Sequence, residues 1–245
     1  MMLSFCGLIY NGLRLSHLAV LMVALSCLSC SHNKQSYFPL SKGYKWHYDV
    51  TLITRDGLIH QKYILNNLGK SELNGKPVYL RRSLDGTILY YSMDDKGIVY
   101  LGWVSNLIPG LVFQDDEQIV LRNPIKVDTT WEQKTFTRLL KKTGPPQKTE
   151  FKIIAEVPLD VKIESLTETV HVPAGEFKDC MQITMKGSAM KDAGNYVGLT
   201  LVGVEQTSWY AKGVGLVKLE RVETTQSNAL DKGSLLVELT DFDKG

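Results

Sequence analysis

The chain has 245 residues, 44% hydrophobic and 22% charged, a globular balance that argues against intrinsic disorder and against a multi-span membrane protein. Basic and acidic residues number 28 and 26, and with Arg14 the only charge in the leader, the part from Cys30 onward carries 28 − 1 = 27 against 26. So small a net charge gives no electrostatic case for a nucleic-acid partner.

The first element is Leu18 to Leu28 (LAVLMVALSCL), an uncharged run preceded by Arg14 and followed by the polar SHNKQS. It is too short to cross a hydrocarbon layer of roughly 30 Å as a helix, and it suits the apolar core of a secretory signal. Met1 to Leu13 is long and apolar for the segment that opens such a leader, which points to a start further in. Small residues before a cysteine at the end of this run resemble the lipobox of bacterial lipoproteins. Cys27, preceded by Val23, Ala24, Leu25 and Ser26, fits the pattern better; Cys30, where the apolar run gives way to polar sequence, fits the position better. The expected attachment site is Cys30, with Cys27 as the alternative. The division that follows is a signal peptide over 1–29, a tether over 30–40 and one β domain over 41–245. Several acyl chains would hold the protein firmly at a membrane. In proteobacterial lipoproteins an Asp after the lipidated cysteine favours the inner membrane. Here Ser31 or Leu28 follows, so the resemblance implies the periplasmic face of the outer membrane.

From Lys45 the chain alternates with period two: Trp46, Tyr48, Val50, Leu52 and Thr54 share one face of a half-buried strand. Asp56-Gly57 turns it into a second strand, Leu58 to Leu68. Asn74-Gly75, Asp85-Gly86 and Asp94-Asp95-Lys96-Gly97 then introduce strands at Val78 to Leu84, Thr87 to Met93 and Ile98 to Trp103. Asn106 to Pro124 reads as a loop around one short strand. Thr143 to Lys148 reads as the tip of an exposed hairpin between Phe136–Lys142 and Glu150–Val157, with Pro145-Pro146 blunting its edge. Strands resume at Leu159–Val172, Phe177–Lys186, Tyr196–Tyr210, Gly215–Thr225 and Leu235–Phe242. No helical period occurs past the leader. The expected fold is all-β: an antiparallel meander forming a strongly curved sheet, a half-barrel or a sandwich.

Three segments together resemble a family of uncharacterised bacterial envelope lipoproteins: YFPLSKGYKWHY (Tyr37 to Tyr48), VHVPAGEFKDCMQI (Val170 to Ile183) and WYAKGVGLVKLE (Trp209 to Glu220). The motif residues Gly43, Trp46, Tyr48, Pro173, Gly175, Phe177, Trp209, Tyr210, Gly213 and Gly215 read as structural: turn formers and large rings that fix sheet against sheet.

Chemistry-bearing patterns are sparse. The histidines lack metal-ligand spacing, and no nucleophile elbow or phosphate-binding loop occurs, so no cofactor is expected. With Cys6, Cys27 and Cys30 in or beside the leader, Cys180 reads as a buried strand residue without a disulfide partner. Asp94-Asp95, Asp115-Asp116-Glu117 and Asp241 with Asp243 read as solvated turn acids. Arg138, Lys141, Lys142 and Lys148 around the Pro-Pro hairpin read as a solvated edge, the alternative being a tip that touches anionic lipid head groups or an acidic polymer. The function expected is that of a non-enzymatic envelope lipoprotein, held to the membrane by lipid, with an apolar ligand or an envelope protein as partner. The alternatives are a cell-envelope hydrolase using a carboxylate pair or His171, and a secreted soluble β protein.

Overall fold

A computed structural model describes residues 36–144, 149–194, 197–228, 230 and 232–245, except for the side chains of 108, 109 and 114–117. The two candidate lipidation sites, Cys27 and Cys30, and the hairpin-tip residues Pro145, Pro146 and Lys148 lie outside the described residues.

The fold is all-β and antiparallel, and no helix occurs among the described residues. The strands are β1 (Tyr44–Thr54), β2 (Gly57–Leu73), β3 (Lys76–Ser83), β4 (Ile88–Asp94), β5 (Gly97–Ser105), β6 (Ile108–Arg122) and β7 (Thr130–Phe136). After them come β8 (Lys141–Gly144), β9 (Thr149–Lys152), β10 (Glu156–Val172), β11 (Gly175–Asp192), β12 (Leu199–Ala211), β13 (Gly215–Thr225) and β14 (Lys232–Lys244).

Twelve of them form one sheet in the order β6-β5-β4-β3-β2-β1-β14-β13-β12-β11-β10-β7, and β8 pairs only with β9. The two edges, β6 and β7, are consecutive in the chain and joined by residues 123–129. Laid flat, eleven strand spacings of ~4.8 Å would put the edges ~53 Å apart, whereas so short a connection reaches at most ~28 Å. The sheet must therefore curl until its edges approach. Among the described residues no ladder closes the seam; instead the Trp131 indole on β7 donates to the Ile119 carbonyl on β6 at 3.0 Å.

The alternation in β1 is the one the sequence predicts: Tyr44, Trp46, Tyr48 and Val50 are buried on the concave side. β10 repeats it with Val157, Leu159, Val161 and Ile163. Two departures from expectation stand out. The stretch 106–124 forms the fifteen-residue strand β6 rather than a loop, because the ladder supplied by β5 matters more to the backbone than the Pro-Gly and acidic residues within it. The expected strand Phe136–Lys142 is divided, with β7 ending at Phe136 and β8 beginning at Lys141, and the chain leaves the sheet between them.

One end of the curled sheet is stoppered by the N-terminal segment. Tyr37, Phe38 and Leu40, within the stretch expected as tether, are buried, so the β domain reaches back at least to Tyr37. The Pro39 carbonyl accepts from Asn67 Nδ2 (2.9 Å) and Arg81 Nη2 (3.1 Å), and Arg81 Nε donates to Asn67 Oδ1 (2.9 Å). The Arg81 guanidinium lies 4.3 Å from the Phe38 ring centre, 4.7 Å from Trp46 and 5.5 Å from Tyr91. Ring faces and carbonyl dipoles thus take the place of a carboxylate for this buried cation.

Candidate functional site: the lumen of the curled sheet

Above that floor the sheet curls around an open-mouthed cavity of about 1050 Å³. This is expected of the strand number: about eight strands leave room for side chains or one small ligand, and larger curled sheets surround more space. Tyr91 and Tyr210 line its deep end and Leu52, Leu89 and Val237 its walls. Gln61, Gln118, Gln133 and Gln206 interrupt the apolar surface. Met185 accepts long contacts from Gln133 Nε2 (3.1 Å) and Gln206 Nε2 (3.4 Å).

The mouth is spanned by the β8–β9 hairpin, which acts as a strap. It leaves β7, beside the seam, and reaches the β1–β2 turn on the opposite side of the sheet, where Thr143 N and Oγ1 donate to the Asp56 carboxylate at 2.6 and 3.1 Å. Its base is clamped by Glu223, fully buried on β13. Glu223 Oε2 accepts from the backbone N–H groups of Arg138 (2.8 Å) and Leu139 (2.7 Å), while Oε1 accepts from Arg221 Nε (2.8 Å). Arg221 in turn donates to Thr135 Oγ1 (3.1 Å), Gln206 Oε1 (3.3 Å) and the Phe136 carbonyl (3.1 Å). Leu139 rests on Gly233: a Cβ there would stand 2.5 Å from that of Leu139, so only glycine lets the strap seat.

Arg138, which is exposed, and the partly buried Lys141 border the cavity on its strap side. Exposed large apolar side chains also gather at the turns on this end of the strands, among them Ile53, Leu58, Leu84, Leu107 and Leu199.

The motif residues fall mainly at the stoppered end, where two of the three segments meet. Trp46 Nε1 donates to the Val214 carbonyl at 2.6 Å and Tyr48 Oη to that of Leu216 at 3.0 Å. Gly215, at φ 101°, lies under Pro39, whose Cδ would be 3.3 Å from an added Cβ. Gly213 N donates to the Ser36 carbonyl at 2.8 Å, and Gly43 lies against Gly245. Pro173 and Gly175 form the tip of the β10–β11 hairpin, which packs on β14 through Ala174 N to Leu239 O (3.0 Å) and through Phe177 against Phe242. Lys218 Nζ lies 5.4 Å from the Trp209 ring centre. Of the ten, only Tyr210 lines the lumen, so the cavity itself went unread in the motifs. The signal that could have found it was the glutamines at inward strand positions.

The polar candidates scatter. Asp94 Oδ1 caps its own turn, accepting from Lys96 N (2.9 Å) and Gly97 N (3.1 Å). Asp241 and Asp243 are exposed, and the side chains of Asp115, Asp116 and Glu117 are outside the described residues. His171 pairs with Glu176 at 2.8 Å near the exposed tip of the β10–β11 hairpin. The two lumen carboxylates are both paired, Glu223 with Arg221 (2.8 Å) and Glu156 with Lys134 (3.3 Å). Cys180 is fully buried, its thiol pushed up to about 11 by burial and by the nearby Asp179 and Glu168. No cluster of three or more potential metal ligands occurs among the described residues.

No family model matches the chain, and no curated protein matches it. Two solved structures are similar. One is a provisionally named lipoprotein from Parabacteroides distasonis, 15% identical, with TM-score 0.41, over 85% of this chain and 99% of its own. The other is a provisionally named exported protein with a YmcC-like fold from Bacteroides fragilis, 13% identical, with TM-score 0.38, over 86% and 100%.

Proposed function

We propose that this chain is a lipid-anchored protein of the bacterial envelope, non-enzymatic, whose β domain binds a ligand with a substantial apolar part in its lumen. The observation that carries the reading is the cavity of about 1050 Å³, at the upper end of the ~300–1,000 Å³ usual for ligand sites. It is stoppered at one end by Tyr37, Phe38 and Leu40 and spanned by a strap at the other, an arrangement that holds a ligand rather than passing one through. The anchor reading rests on the leader and on the resemblance of its end to a lipobox, with Cys30 or Cys27 as the attachment site and the periplasmic face of the outer membrane as the address.

Two measurements test it. Val237→Trp places a large ring into the lumen wall. It is expected to abolish the fluorescence enhancement of an uncharged naphthylamine dye while leaving the circular dichroism spectrum unchanged. A dye response equal to that of the wild type would place the binding elsewhere and defeat the lumen reading. For the anchor, mass spectrometry of the membrane-extracted protein is expected to show an acyl adduct lost in Cys30→Ala or in Cys27→Ala; an adduct lost in neither would refute it.

A further inference from the structure

The charges around the lumen are uneven. Among the described residues its lining carries four cations, Lys134, Arg138, Lys141 and Arg221, against two carboxylates, Glu156 and Glu223, leaving 4 − 2 = +2 among them. The carboxylates engage Lys134 and Arg221, so the excess falls on Arg138 and Lys141, both on the strap side of the mouth. The Arg138 guanidinium has no hydrogen-bond or ion-pair partner among the described residues; the bond formed by this residue is made by its backbone N–H. Lys141 has only a loose contact, 4.0 Å, with the half-exposed Glu150.

Arg138 is also held in place. Its own N–H and that of Leu139 are fixed to buried Glu223, so the side chain springs from a rigid point on the rim. Tyr100 also lines the cavity, close enough for the Arg138 charge to bear on its hydroxyl. Below, the wall runs through Leu52, Leu89 and Val237 to Tyr91 and Tyr210. A positive rim over a largely apolar shaft distinguishes the two ends of a ligand. An anion placed at the rim gains charge-assisted hydrogen bonds from an exposed guanidinium that no described protein group engages, and a hydrocarbon placed below is removed from water.

We propose that the lumen takes an amphiphile with a single anionic head group, carboxylate or phosphate, bound with its tail toward Tyr91 and Tyr210 and its head against Arg138 and Lys141. This rests on the lumen-binding reading and adds polarity and charge to it. The exposed apolar residues at the mouth, Ile53, Leu84 and Leu107 among them, give the tail a path of low hydration into the shaft.

The test uses the folded protein and displacement of the uncharged dye by three chains of equal length: hexadecanoate, hexadecyl phosphate and hexadecanol. Wild type is expected to bind at least one of the two anions about ten- to hundredfold tighter than the alcohol. Whichever anion is preferred identifies the head group. Arg138→Gln combined with Lys141→Gln is expected to erase that preference and leave hexadecanol binding unchanged, because both substitutions spare the backbone bonds to Glu223. Equal binding of acid, phosphate and alcohol by the wild type overturns the head-group assignment while leaving the lumen reading intact. An anion preference that survives in the double variant overturns the assignment to Arg138 and Lys141. Displacement by none of the three overturns both readings.

Discussion

Replacing Glu223 by alanine tests the strap and its clamp most directly. The carboxylate is fully buried and accepts three hydrogen bonds, two from the backbone of the strap's base and one from Arg221, whose side chain is only 12% exposed. Truncation leaves two backbone N–H groups without their acceptor and a nearly buried guanidinium without its counter-charge. Breaking a buried pair by removing one partner costs about 3–5 kcal/mol, and orphaned N–H groups cost about 1–3 kcal/mol each. These terms overlap, because water can enter from the lumen and solvate part of what is left, so the expected loss is about 3–5 kcal/mol in total. For a domain of this size that corresponds to a fall in Tm of roughly 6–20 °C. Urea unfolding followed by tryptophan fluorescence measures it. Glu223→Gln, which keeps an acceptor but not the charge, is expected to fall between wild type and Glu223→Ala. The paired change Glu223→Leu with Arg221→Met is expected to recover only the part of the loss that comes from the unpaired guanidinium, since the N–H groups of Arg138 and Leu139 still lack their acceptor. A loss below about 1 kcal/mol for Glu223→Ala would refute the clamp.

Further outcomes follow from the same geometry. Trp46→Phe removes the indole bond to Val214 and part of a fully buried ring, and is expected to cost about 2–3 kcal/mol in chemical denaturation; an effect within the error of the method would mean that the stoppered end is loosely packed. Gly233→Ala drives a methyl into Leu139 and is expected to destabilise by about 1–3 kcal/mol and to speed proteolysis within residues 141–152, with wild-type stability contradicting the seating of the strap. Stability is expected to fall in alkali. Burial raises the Cys180 thiol from 9.0 to about 11, and the Tyr210 and Tyr100 hydroxyls from 10.0 to about 12. Groups raised in the folded state contribute fully below their unfolded values. Their contribution is lost as pH climbs from those values through the folded ones, so the denaturation midpoint should hold to about pH 9 and then drop. A midpoint flat to about pH 11 would contradict the burial of these groups. For the same reason Cys180 should resist alkylation at about pH 8 until the protein unfolds, because the thiolate is the reactive form.

Much of the strand sequence was legible because each hairpin carries its own turn chemistry and each β1-like segment its own alternation. β6 was obscured because Pro109, Gly110 and three successive acids are poor strand formers taken alone, and only pairing with β5 accounts for them. β7 is obscured because Trp131 to Phe136 (WEQKTF) has polar residues on both faces, its Trp131 ring is spent on the seam and its Phe136 ring is exposed. The clamp at Glu223 joins residues 84 and 85 positions apart, a separation at which sequence spacing carries no signal.

The lumen is the instructive case. Period two says which residues share a face, but it does not say whether that face is packed solid or looks into open space. What distinguishes the two is the polar residue on an inward row. Gln206 stands between Val204 and Ser208 on β12, Gln133 follows Trp131 on β7, and Arg221 follows Leu219 on β13. In a dry core such positions would leave amide and guanidinium groups without partners, at a cost no small domain carries several times over. Against solvent-filled space they are at ease, and they bond to one another across strands, as Arg221 does to Gln206 and Thr135. Inward polar residues recurring on several strands of one sheet are thus the mark of a lumen.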